Sequence, residues 1–109
     1  QADNKAMNDL QALAKDTRTL YGAEAKYLVA LQLYKAHEYA AAEKEILNFI
    51  EQSTPHAYWL ARSFILLSDV YVAMDKKLDA RQYLLSLQQN YHADDDIEQM
   101  INERLEKLK

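Results

Sequence analysis

Gly22 and Pro55 are the only glycine and the only proline among 109 residues. Average chains use about 7% and 5% of these two. Glycine supplies the backbone freedom that tight hairpin turns require, and proline is rejected by helix interiors. A chain nearly free of both is expected to be all-α, and β-sheet readings drop out before any periodicity is considered. Half of the residues are apolar, enough for one compact domain or a short stretch of a repeat array. There is no cysteine, which excludes disulfides, thiol catalysis and thiolate metal sites.

Charge excludes further classes. Charged residues make up 28% of the chain and the net charge is −4, so no electropositive surface is imposed on the molecule. Nucleic-acid binding and docking on anionic lipid therefore have little support. Apolar runs such as Phe64-Ile65-Leu66-Leu67 reach no more than five residues against the ~18 that would span a bilayer. A water-soluble chain without direct membrane insertion is expected. The sequence starts at Gln1 with neither an initiator methionine nor a signal peptide, which reads as a piece processed or excised from a longer protein.

Apolar residues recur at helical spacing in six segments. The first, about residues 3–20, puts Met7, Leu10, Leu13, Ala14 and Leu20 on one side, and Gly22 reads as the break after it. Residues 23–36 carry a broad stripe of Tyr27, Ala30, Leu31 and Tyr34, widened by Leu28 and Leu33. Residues 39–52 align Tyr39, Ala42, Ile46, Phe49 and Ile50, leaving Glu43, Lys44, Glu45 and Glu51 to face water. At Ser53-Thr54-Pro55, Thr54 is a candidate N-cap and Pro55 suits a first helical position, so residues 55–74 are expected to start a new helix at once. A fifth helix, residues 78–91, turns Ala80, Leu84 and Leu87 inward. Asp94-Asp95-Asp96 opens the last, where Asp95 and Glu98 have capping-box spacing before the stripe Ile97, Ile101, Leu105 and Leu108.

Sliding the chain along itself by 38 residues places Leu28, Val29, Ala30, Leu33, Ala42, Ile46 and Phe49 on Leu66, Leu67, Ser68, Tyr71, Ala80, Leu84 and Leu87. Small residues meet small ones: Ala30 and Ser68 on the first helix of each pair, Ala42 and Ala80 on the second. They are expected to be the points where two antiparallel backbones approach closely.

This pattern resembles the tetratricopeptide repeat family over about residues 23–91. Val29, Ala30 and Leu33-Tyr34, then Leu67, Ser68 and Tyr71, match the spacing of its helix A. Ala42, Ile46 and Phe49, then Ala80, Leu84 and Leu87, match helix B. The glycine usual at the corner between them is replaced by His37 or Asp75, and the period exceeds the family's 34, an extra turn around residues 56–59 absorbing the difference. The resemblance implies a TPR-like α-solenoid: residues 1–22 as the second helix of a preceding unit, 23–54 and 55–92 as two units, and 93–109 as a capping helix. The stretches around 21–28 and 54–62 also look like multi-repeat proteins of the bacterial cell envelope, similar to periplasmic members of the TolA-binding kind, which implies an envelope location.

Catalytic chemistry finds no scaffold. His37-Glu38 begins like a zinc helix, but Ala41 stands where its second histidine belongs. His92 beside Asp94, Asp95 and Asp96 could gather a cation, although three acids at a helix start are explained by capping and the helix dipole. Ser53, Thr54 and His56 are neighbours with no oxyanion loop or nucleophile elbow around them, and helix initiation accounts for them. No cofactor or metal is expected, and no enzymatic role.

In the family, helix A residues line a concave surface. By resemblance that surface maps here to Glu24, Tyr27, Leu31, Tyr34 and Lys35, and one unit on to Arg62, Ile65, Asp69, Val72 and Ala73. The expected function is a non-enzymatic scaffold that holds a partner peptide or protein on this face. The carboxylate clamp of chaperone-binding members is excluded, because Tyr27, Leu31, Ile65 and Asp69 occupy the positions of its lysines and asparagines. The alternative is an assembly segment that mediates self-association or stacking within a longer chain. A metal-dependent hydrolase built on His92 is the third reading.

Overall fold

In a computed structural model, which describes residues 2–109 with side chains from residue 5 onward, the chain is all-helical. Six helices follow one another: α1 (Ala2–Leu13), α2 (Leu20–Lys35), α3 (Tyr39–Glu51), α4 (Ala57–Ala73), α5 (Lys77–Asn90) and α6 (Ile97–Lys107). Neighbours in sequence pack together, and α4 also touches α2 and α6. The radius of gyration is 13.6 Å, close to the ~13 Å of a compact chain of this length. The six helices thus form a compact body.

The turns that join α2 to α3 and α4 to α5 are copies of each other. After α2, the Glu38 N–H reaches back to the Leu33 carbonyl (2.9 Å) and the His37 N–H to that of Tyr34 (3.0 Å). After α4, Lys76 bonds to Tyr71 (2.7 Å) and Asp75 to Val72 (3.0 Å). Both are Schellman closures, which need a left-handed residue just past the helix. His37 (φ 62°) and Asp75 (φ 61°) supply it without a glycine.

The four small residues are all buried. Ala30, Ala42 and Ala80 share one cluster with Tyr27, Ile46, Leu66, Leu67, Val70 and Tyr71, set between α2, α3, α4 and α5. A second cluster joins α4, α5 and α6 through Ala61, Ile65, Leu84, Leu87, Ile97 and Ile101. A third, Ala14 with Ala25 and Val29, seats α1 on α2. The core is therefore a series of overlapping joints rather than one centre.

Helix starts differ from expectation at three turns. α1 ends at Leu13, not near residue 20, and Gly22 lies inside α2 instead of breaking the chain. Thr19 is the reason: its hydroxyl accepts the Gly22 N–H (2.9 Å) and donates to the Asp16 carbonyl (3.1 Å). That folds the turn so closely over α2 that a methyl group on Gly22 would stand 1.8 Å from the Asp16 oxygen. Glycine is needed there for clearance. Leu13 and Leu20, expected on the packed side of one long helix, are exposed as a result.

Pro55 precedes α4 rather than starting it. The Thr54 hydroxyl accepts the His56 N–H (3.2 Å) and donates to the Thr17 carbonyl (2.6 Å), so it is shared with the α1–α2 turn, and the cap position falls to His56. At α6, Asp95 accepts the Ile97 N–H (2.9 Å) but the cap residue is Asp96.

Side-chain bonds between elements step regularly along the chain. Thr17 to Gln52, Thr54 to Thr17, His56 to Arg18, Arg62 to Tyr27, Tyr58 to Asp96 and Arg104 to Asp69 each join residues 35–38 apart. These bonds tie the α1–α2 turn to the α3–α4 turn, α2 to α4, and α4 to α6 and the segment before it.

Candidate functional site

An open groove of about 950 Å³ runs across the C-terminal halves of α2, α4 and α6. Its apolar surface comes from Tyr34, Val72 and Leu108, one from each helix. Lys77, at the start of α5, and Lys107 bring positive charge to its rim, and Glu103 and Glu106 negative. Between them the Arg104 guanidinium grips both carboxylate oxygens of Asp69 (2.9 and 3.0 Å). Both partners are about three-quarters buried, so this fork fixes the spacing of α4 and α6. Tyr34 feels the site as well: burial, then the Asp69 charge, pushes its phenol above the ordinary range. Ser68 lines the groove with a buried hydroxyl that has no hydrogen-bond partner among the described residues.

The residues expected on a binding face divide into four groups. Tyr34, Asp69 and Val72 line the groove together, and Val72 is 39% exposed. Ile65 is 1% exposed within the α4–α5–α6 cluster, and Tyr27 is buried in the cluster between the hairpins. Their role is packing, and a partner does not reach them. The broad apolar stripes of α2 and α4 are wide because each helix is covered by several neighbours, so stripe width does not identify a free face.

Arg62 is committed inside the molecule. Its guanidinium lies over the Tyr27 ring (5.1 Å) and near the rings of Tyr58 (5.8 Å) and Trp59 (6.0 Å). It donates to the hydroxyls of Tyr58 (2.9 Å) and Tyr27 (3.2 Å). Tyr58 in turn donates to Asp96 (2.9 Å) ahead of α6. Burial opposes the charge on Arg62, but these hydroxyl bonds outweigh it and leave its pKa raised. The cluster ties α2, α4 and the start of α6 into one joint. The others lie apart: Leu31 packs partly buried on the hairpin cluster, Glu24 is half-buried near the start of α2, and Lys35 and Ala73 are exposed at helix ends.

Arg104, Lys77, Lys107 and Leu108 are groove residues that the repeat pattern alone does not select. Arg104 carries a visible sign, since it stands seven residues after Ile97 and three after Ile101, on the apolar stripe of α6. A charge on that stripe needs a buried partner. The acids considered for a cation are engaged otherwise: Asp95 takes a hydrogen bond from the Tyr91 hydroxyl and Asp96 one from Tyr58. Burial, then Asp95, pushes the Tyr91 phenol up to about 12. His92 reaches the Gln89 carbonyl (3.1 Å). No helix is long and apolar enough to cross a membrane among the described residues.

Compared with protein-family models, with curated proteins and with solved structures, the chain finds no match.

Proposed function

We propose that the chain is a TPR-like α-solenoid segment that acts as a non-enzymatic scaffold, holding a peptide or protein partner in the groove across α2, α4 and α6. The observation that carries this reading is the groove itself, with one apolar residue from α2, one from α4 and one at the end of α6, and charge along its rim. Copied Schellman turns 38 residues apart and buried small residues at each hairpin support the repeat. An open trough with alternating charge suits a long ligand held by several weak contacts better than a small molecule enclosed on all sides.

The test is a peptide array probed with the labelled chain, followed by titration of the best binder. Val72→Asp should weaken that binder by about tenfold or more, a loss of about 1.4 kcal/mol, without lowering thermal stability, because Val72 is exposed. Binding that survives Val72→Asp, or an array with no binder, would overturn the reading.

A further inference from the structure

Lys77 is the first residue of α5 and Lys76 its cap, with no side-chain capping bond. The partial positive charge at the start of a helix favours acids there and opposes lysines. Thirty-eight residues earlier the same two places hold Glu38 and Tyr39. The start of α3 thus follows that preference and the start of α5 goes against it, Asp79 being the one acid in its first turn. Lys76 has a partner, since its amine lies 5.8 Å from the centre of the Tyr71 ring. Lys77 stands exposed on the rim of the groove and makes no ion pair among the described residues. A charge placed against local preference and not used in folding marks a position shaped by function.

The other charges of the groove largely cancel. Asp69 and Arg104 neutralise each other (2.9 Å), and Glu106 pairs with Lys109 (3.1 Å). Lys77, Lys107 and Glu103 are left without an ion pair among the described residues, two lysines against one glutamate, in a chain whose net charge is −4. Lys77 follows the end of α4 and Lys107 ends α6, whereas Glu103 lies one turn further in. The rim is therefore locally positive on an acidic molecule. Ser68, one turn before the exposed Val72, brings to the groove an unpartnered hydroxyl where the first hairpin has Ala30. Ser68, Val72 and Lys77 all lie in the middle of the chain, on α4 and at the start of α5.

We infer that the groove selects an acidic, apolar peptide: an extended segment whose apolar side chain rests on Tyr34, Val72 and Leu108 while a neighbouring aspartate or glutamate meets Lys77, and the next acid meets Lys107. The inference rests on the groove reading above and adds the sign of the partner's charge, with Lys77 as the residue that reads it.

The experiment is fluorescence anisotropy of the full chain with labelled synthetic peptides that alternate leucine with glutamate, and with the same peptides carrying lysine for glutamate. Attraction to the molecule as a whole, which is acidic, favours the lysine peptide. The groove should reverse that order, the glutamate peptide binding about tenfold more tightly. Lys77→Glu should remove the preference and at the same time raise the melting temperature, because it returns an acid to the start of α5. Lys44→Glu, the same change of charge at an exposed place on α3, should leave the preference intact. Equal binding of both peptides, lost in Val72→Asp, would keep the groove reading and overturn this inference. It is overturned as well by a preference that survives Lys77→Glu, by binding of neither peptide, or by sedimentation showing copies of the chain joined through Val72.

Discussion

Lys26 and Glu45 in the first hairpin occupy the same positions as Phe64 and Tyr83 in the second, 38 residues on. In the first hairpin they form an ion pair at 2.9 Å, extended by Asn48 (2.8 Å from Lys26), Gln52 and Thr17 toward the α1–α2 turn. In the second, the two rings lie 5.9 Å apart at an angle of 38°. The backbone keeps one spacing while the chemistry that fills it is exchanged. Shape is thus the requirement of the hairpin, and charge a local choice. A buried pair recovers in Coulomb attraction roughly what its ions lose in hydration, so an apolar pair of similar volume serves as well.

The sharpest way to break this comparison is to remove one partner. Lys26→Met leaves Glu45 half-buried and unpaired and should cost about 2–3 kcal/mol in chemical denaturation, below the range for fully buried pairs because a quarter of the Glu45 side chain stays exposed. Lys26→Phe combined with Glu45→Tyr copies the second hairpin into the first, and should restore stability to within about 1 kcal/mol of the parent. A double variant as unstable as Lys26→Met would show that the two hairpins are not equivalent.

Ala42→Leu and Ala80→Leu ask the same question of the small residues. Both alanines are fully buried, so each should cost about 1–3 kcal/mol by overpacking, and by similar amounts. A harmless substitution in one hairpin would separate their geometries.

The smallest effect concerns the turns. His37→Gly and Asp75→Gly relieve a left-handed side-chain residue at a position that favours glycine. Each should raise stability by about 0.5–1 kcal/mol in thermal or urea unfolding, the steric relief exceeding the added freedom of the unfolded chain. Opposite signs at the two turns would mean that one side chain has a further role, for which the His37 ring, stacked 5.8 Å from Tyr39, is the candidate.

Local pattern carried much of the fold. Six helices, two copied hairpins and four buried small residues follow from spacing at 3–4 and at 38 residues, because these regularities arise from helix geometry and from stacking. The turns were harder to read. Gly22 as a break and Pro55 as a start are sound local rules, yet Thr19 and Thr54 spend their hydroxyls on other partners, Thr54 on the distant Thr17 carbonyl. The candidate site was legible only in part. Tyr34, Asp69 and Val72 were placed by the resemblance, whereas the Asp69–Arg104 fork and the Arg62 cluster bridge residues 35 apart with side chains whose chemistry differs from one hairpin to the next. Glu45 was expected in water for the same reason, its partner Lys26 lying on another helix.

The ladder of bonds between counterparts one period apart fixes how the molecule comes undone. α4 alone is flanked by α2, α3, α5 and α6, whereas α1 rests on α2, and α6 on α4 and α5. Opening can therefore begin at either extremity without disturbing the other, as in a stack of coins. Amide protons of α4 should therefore be the last to exchange with solvent.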